Sequence, residues 1–212
     1  MYLSRVEINL SNRRAMHDLT HLGAFHGWVE RSFPAEIAQG IRRRHLWRID
    51  RLNGRTYLLL LSPDKPDQRY LGRYAVSGTV QTVDYDQLLN SLAEGQIRPF
   101  RLTANVVKRR GHGPAVALHS VPDLEKWLLY HVVDHGFEIA TDDDGNFEMQ
   151  IRDHHSEPLQ RGSRRVQLSL TSYEGLLKIT DVELFKQALA EGIGREKAFG
   201  CGLLTVMPPV KK

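Results

Sequence analysis

The period of hydrophobic and polar positions changes several times along the chain, and each change marks an element. Residues 2–9 put Ser4, Val6 and Ile8 on one face and Leu3, Arg5 and Glu7 on the other, the two-residue period of a strand. Asn12 is a helix-capping residue, and beyond it Leu22, Phe25, Val29 and Phe33 recur at spacings of three and four. That apolar stripe predicts a helix ended by Pro34 and weakened by Gly23 and Gly27. Alternation returns at His45, Trp47 and Ile49. Asn53-Gly54 then signals a tight turn before the apolar run Tyr57 to Leu61, which reads as a hairpin. A short helix over 66–74 and a strand over Thr79 to Val83 complete the order βαββαβ.

The second half repeats that order loosely. A short helical link over 85–96 leads into a strand starting at Pro99, so the domain boundary is expected there. Lys108 to Pro114 (KRRGHGP) reads as a basic loop returning through a strand at Ala115 to Leu118. Pro122 suits a first helical turn, and the helix carrying Trp127, Leu128 and Val132 ends at Gly136. Strands are expected at 137–141 and 146–152, and two more over 164–180, joined by a turn at Ser172-Tyr173-Glu174-Gly175. Asp181 caps a helix that Gly192 ends, and Leu203 to Val206 closes the chain as a strand. The fold class expected is α+β: two tandem ferredoxin-like (RRM-like) domains with antiparallel sheets, over 1–90 and 97–212.

Composition supports a folded chain and narrows its chemistry. The 212 residues are 41% hydrophobic and 25% charged, an ordinary globular balance. No apolar run approaches the roughly 18 residues of a membrane span, and the start MYLSRVEINL alternates where a signal peptide would be apolar, so no membrane partner is expected and the location expected is cytoplasmic. Cys201 is the only cysteine, which excludes an internal disulfide and a cysteine-rich zinc site. Flanked by glycines beside an apolar strand, it reads as a small packing residue. His17 and His21 have the spacing of a helical metal pair, but no Glu follows His17 and no third ligand is evident, so neither metal nor cofactor is expected.

The net charge is only +4, but it is unevenly placed. Residues 31–55 hold seven arginines against Glu36 and Asp50, residues 101–120 hold four basic residues and no acid, and residues 121–148 hold eight acids against one lysine. Separated basic clusters on a polarised surface fit a polyphosphate partner, a nucleic acid above all. The loop Gly192-Ile193-Gly194-Arg195-Glu196-Lys197-Ala198-Phe199-Gly200-Cys201-Gly202 runs from helix into strand, the reverse of a nucleotide-binding loop. Gly192, Gly194, Gly200 and Gly202 would let the backbone approach a neighbouring chain closely, with Arg195 and Lys197 supplying contacts to phosphate.

This loop, the tandem sandwiches and the length resemble the RAMP superfamily of CRISPR-associated proteins, and within it the CasE type, the endoribonuclease subunit of type I-E Cascade. The resemblance runs through MYLSRVEI, LGAFHGWVERSFP, FRLTANVVK and GIGREKAFGCGLLTV. It implies metal-independent cleavage of CRISPR precursor RNA at the 3′ base of the repeat hairpin, leaving a 2′,3′-cyclic phosphate. It also implies that the protein stays bound to the mature crRNA beside other Cascade subunits. The alternative is a non-catalytic RNA-binding structural subunit of the same superfamily. An ordinary RRM-type regulator is disfavoured because no strand carries the aromatic RNP1 pattern.

Cleavage of this kind needs a proton removed from a 2′-hydroxyl and one delivered to the departing 5′-oxygen, and histidine suits either role. The family's catalytic histidine lies in the first helix, and His26 in AFHGWVERSFP is the matching position. Some members carry a tyrosine three residues earlier, but Gly23 stands there in this chain, so a tyrosine partner is absent or comes from elsewhere. Arg31 stands where a relative has lysine and is assigned to phosphate. Basic residues of the second domain lie along the hairpin stem in family members, and Arg161, Arg164 and Arg165 are the best match, while His154-His155 beside them reads as RNA contact or plain solubility. Lys108, Arg109 and Arg110 are expected to meet the same RNA or a neighbouring subunit.

Overall fold

A computed structural model describes residues 1–109, 113–161 and 164–210, with the side chains of Arg161 and Arg164 outside that description. The chain divides into two compact units, Met1–Asn90 with Lys197–Gly200, and Ser91–Glu196 with Cys201–Lys212. Four residues of the glycine loop, Lys197–Gly200, thus group with the first unit.

The first unit runs β1 (Tyr2–Glu7), α1 (Arg13–Asp18), α2 (Leu22–Arg31), α3 (Pro34–Gln39), β2 (Leu46–Leu52), β3 (Arg55–Ser62), α4 (Gln68–Leu71), β4 (Gln81–Asp84) and α5 (Asp86–Asn90). Its sheet has the order β2-β3-β1-β4 with every pair antiparallel, the ferredoxin-like split of a βαββαβ chain. Alternation decides which residues go inside. Val6 and Ile8 of the first strand segment and Leu58 and Leu60 of β3 meet Trp28 and Val29 of α2, with Phe33, Leu71 and Tyr74 closing the core. Burying each large apolar side chain is worth about 1.5–3 kcal/mol. The Asn53-Gly54 turn joins β2 to β3 with φ of 50° and 73°, the left-handed pair a type I′ hairpin requires.

One expected helix is three. Asn12 caps only α1, its side chain accepting from Arg14 and Ala15 N–H, and Leu19 ends that helix in a non-helical conformation. Pro34 does not stop the stripe so much as start α3, where a first-turn position wastes no N–H donor.

The second unit runs β5 (Ile97–Asn105), β6 (Val107–Arg109), β7 (Ala115–Ala117), α6 (Val121–Val132), β8 (Phe137–Ile139), β9 (Met149–Arg161), β10 (Arg164–Ile179), α7 (Val182–Glu191) and β11 (Leu204–Val206). The order β11-β5-β10-β8 repeats the ferredoxin-like arrangement, with β9 also paired to β10 and a β6-β7 hairpin inserted before α6. The expected turn at 172–175 is absent: β10 is one strand of 16 residues. Tyr173 is fully buried with its hydroxyl donating to Leu124 O at 2.9 Å. Gly175 is there for a different reason, because a Cβ would come within 2.2 Å of Glu148 O. Opposite Ser172 and Tyr173, β9 carries one extra residue, Arg152, where pairing shifts between Ile151 and Asp153.

Candidate active site

His26 owes its position to the way α2 begins. His21 lies in extended backbone and its own ring caps the helix, Nδ1 accepting from the Ala24 N–H at 3.2 Å. Gly23 leaves room for that ring, since a Cβ there would stand 3.0 Å from His21 Nδ1. The His17–His21 spacing is therefore not one helix face; His17 ends α1 and His21 starts α2. The Trp28 indole donates to Tyr70 O at 3.1 Å and meets Tyr74 edge-on, which fixes the rotation of α2. With Trp28 and Val29 inside, Phe25 and His26 fall at the edge of the buried face, and the His26 side chain keeps 34% of its surface exposed.

An aromatic wall stands on one side of that ring. Phe199, in a short 3-10 turn at Lys197–Phe199, lies 5.5 Å from His26 between ring centroids. The turn is pinned to β2, because the Trp47 indole donates to Ala198 O at 3.0 Å. Gly200, at φ +80°, presses on the same indole, where a Cβ would approach Cζ3 to 2.9 Å. Phe25 stacks on Trp47 at 6.0 Å and continues the wall.

Carboxylates stand close to the His26 ring as well. Glu30, one turn along α2, places Oε1 4.0 Å from His26 Nδ1. The same oxygen accepts from His45 Nδ1 at 2.9 Å. His45 is buried, stacked 3.8 Å from Phe33, and its Nε2 lies 3.2 Å from Glu36 Oε1. The second oxygen of Glu36 accepts the Arg43 backbone N–H at 3.1 Å.

Burial pushes the His26 imidazole below its ordinary value, while Glu30 pulls it up and Arg42 and His45 push it down. The hydrogen bond from His45 holds the Glu30 carboxyl below its ordinary range against the opposing effect of burial. A half-exposed ring that is neutral near pH 7, with an ionised carboxylate beside Nδ1, can take up a proton or pass one on. Among the described residues no group of three or more His, Cys, Asp or Glu side chains is arranged to hold a metal ion.

A family model described as CRISPR associated protein matches residues 1–208. The chain belongs to that family. A CRISPR-associated relative, the endoribonuclease Cse3 of Thermus thermophilus, is 27% identical over 98% of this chain and 100% of its own. The structure of Thermus thermophilus Cse3 bound to an RNA representing a pre-cleavage complex superposes with a TM-score of 0.82 at 28% identity, covering 98% of each chain. The CRISPR-associated protein Cas6e of Escherichia coli shares the fold, with a TM-score of 0.59 at 21% identity over 98% of this chain and 100% of that one.

The remaining residues singled out in this CRISPR-associated chain fall in several places. Arg31 is exposed at the end of α2 and folds back over Gly27, where a Cβ would meet its guanidinium at 3.3 Å. Its charge therefore returns to the turn that carries His26. Not all of the 31–55 cluster is surface: Arg48 is buried, and its Nε and Nη2 donate to the two carboxylate oxygens of Asp50 at 2.7 and 2.9 Å. In the second unit Lys108 and Arg109 are exposed on β6 and line a pocket with Lys126, Trp127 and Tyr130 of α6; Arg110 lies outside the described residues. Arg161 and Arg164 are paired backbone positions at the end of the β9-β10 hairpin, and Arg165 is exposed next to them. His154 and His155 lie seven and six residues back along β9, roughly 20 Å away at the rise of a strand. His154 there meets His119 at 3.2 Å and Thr171 at 2.9 Å.

In the glycine loop, Gly192, Gly194, Gly200 and Gly202 all have φ between 75° and 84°, a conformation that favours glycine at each. Gly202 also donates its N–H to Thr103 O at 2.7 Å. Arg195 is exposed and Lys197 partly buried. Cys201 is fully buried, and burial pushes its thiol up to about 12. Sequence reasoning missed Glu30, His45, Glu36 and Phe199. Only Glu30, four residues after His26 on one helix, left a local signal.

Proposed function

We propose that this chain is a metal-independent endoribonuclease that cuts CRISPR precursor RNA at the 3′ base of the repeat hairpin, and that it stays on the crRNA as a subunit of a type I-E Cascade in the cytoplasm. The observation that carries this reading is the half-exposed His26, with Phe199 and Glu30 beside it, in a chain that matches an RNA-bound Cse3 over nearly its whole length. In the reaction the ribose 2′-oxygen attacks the adjacent phosphorus and the bond to the 5′-oxygen breaks. One fragment ends in a 2′,3′-cyclic phosphate and the other in a 5′-hydroxyl. His26 moves a proton at one of these oxygens, and Arg31 offsets charge on the phosphate. Because the nucleophile comes from the RNA itself, no metal-bound water is required.

Arg165, with Arg161 and Arg164, serves the stem, and Arg195 and Lys197 serve phosphate. Lys108, Arg109 and Arg110 serve the same RNA. The test is to incubate the protein with its own repeat RNA in excess chelator and map the product ends. A cyclic phosphate and a 5′-hydroxyl at the hairpin base support the reading. Tight binding with no cleavage would leave a structural RNA-binding subunit instead, and cleavage abolished by chelator would point to a metal-dependent hydrolase.

A further inference from the structure

The proposed reaction uses His26 and Arg31, yet the most unusual polar feature of the first unit lies behind them. His45 is a buried histidine whose ring side chain is only 2% exposed, clamped between two carboxylates that arrive from different helices, Glu30 of α2 and Glu36 of α3. Each ring nitrogen lies within hydrogen-bond distance of a carboxyl oxygen, Nδ1 of Glu30 at 2.9 Å and Nε2 of Glu36 at 3.2 Å, so both polar atoms of the buried ring have a partner. Burying such a group costs stability unless every partner is in place. Here each is: Phe33 covers the ring face, and Arg43 N–H holds the far oxygen of Glu36. The Glu30–His45 contact sets Glu30 Oε1 2.9 Å from His45 Nδ1 and 4.0 Å from His26 Nδ1.

We propose that Glu30, His45 and Glu36 form a positioning relay for His26. The buried His45–Glu36 pair anchors the Glu30 carboxylate beside Nδ1, so that the ring presents its other nitrogen to the scissile linkage. The inference rests on His26 being the proton-transfer residue, and it makes Glu30 and His45 positioning residues, not catalytic ones. The separation of 4.0 Å leaves Glu30 committed to His45 in the free protein, and it closes onto Nδ1 when the ring gains its second proton.

The signs follow from which groups face His26. Glu30 on its own helix favours the protonated ring; Arg42 and His45, from the segment leading into β2, disfavour it; Phe199 from the 197–199 turn carries no charge. Glu30→Gln therefore lowers the His26 midpoint. His45→Phe keeps the stack on Phe33, removes a like charge and frees Glu30 to swing to Nδ1, so it raises the midpoint. A merely structural role moves neither in a set direction.

The test follows the His26 ring by NMR against pH in the RNA-free, histidine-labelled full chain, with the signal assigned by its loss in His26→Ala. Glu30→Gln is expected to lower the midpoint by at least about half a pH unit, as a unit charge about 4 Å away implies after solvent screening. His45→Phe is expected to raise it by a similar amount. The matching limb of the single-turnover pH profile should move the same way, with RNA Kd unchanged. A midpoint in Glu30→Gln equal to that of the parent chain would overturn the relay. Should His45→Phe fail to fold, the half-exposed Glu30 decides alone. If the midpoints move as stated but His26→Ala cleaves normally, the relay stands and the assignment of His26 to cleavage fails.

Discussion

Gly200→Ala probes the wall that faces His26. The φ of +80° costs any L-residue roughly 1–2 kcal/mol. The added methyl would also stand 2.9, 3.1 and 3.3 Å from Cζ3, Cη2 and Cε3 of Trp47. Trp47 is 1% exposed and tied to Ala198 O, so it has no empty space to move into, and overpacking adds about 1–3 kcal/mol. Gly40→Ala is the matched control, with φ +67° and nothing within 4 Å of the new methyl. Both variants restrict the unfolded chain equally, so that contribution cancels in the comparison. Gly200→Ala should thus be less stable than Gly40→Ala by about 1–3 kcal/mol in urea unfolding, a Tm gap of roughly 2–12 °C for a chain of this size. Cleavage should fall with it, because the displaced turn carries Phe199 away from His26. Equal stability of the two variants, with equal cleavage, would refute the packing argument.

Other expectations are independent of that wall. Arg165→Ala should weaken binding of the repeat hairpin and reduce the slope of log K against log salt by about 0.7–0.9, read from filter binding at several salt concentrations. Cys201, buried with its thiol pushed up to about 12, should react with a disulfide reagent at neutral pH only at the rate of unfolding; rapid labelling of the folded chain would contradict its burial. Because His45 holds the Glu30 carboxyl below its unfolded value, Glu30 contributes stability that is complete above the ordinary glutamate range and is lost as pH falls through the lowered folded value. Denaturant titrations from about pH 6 to 3 should show a shallower acid loss in Glu30→Gln than in the parent chain.

Much of the fold was legible because its signals are local. The alternation in Val6 and Ile8, the Asn53-Gly54 turn and the Asp181 cap each specify a conformation within a few residues, and each element formed where expected. Errors came where one residue type answers two physical needs. Gly175 looked like the end of a turn, but it relieves crowding against Glu148, the residue just before β9. Pro34 looked like a stop, but at a first-turn position it starts the next helix. Of the candidate site on α2, the sequence pointed to His26 and Arg31, His26 through resemblance and the edge of an apolar stripe. His45 looked like one more alternating position, because its partners Glu30 and Glu36 lie 15 and 9 residues away and meet it only after α2 and α3 have packed.

In the proposed function, proton transfer at the scissile linkage falls to His26. Single-turnover cleavage of the cognate repeat RNA in chelator, run beside equilibrium binding of the same RNA, tests it most directly. His26→Ala should lose about 10²- to 10⁴-fold in rate while Kd stays within about a factor of three. A His26→Ala chain that cuts at the parent rate, or an equal loss in His21→Ala, would contradict it.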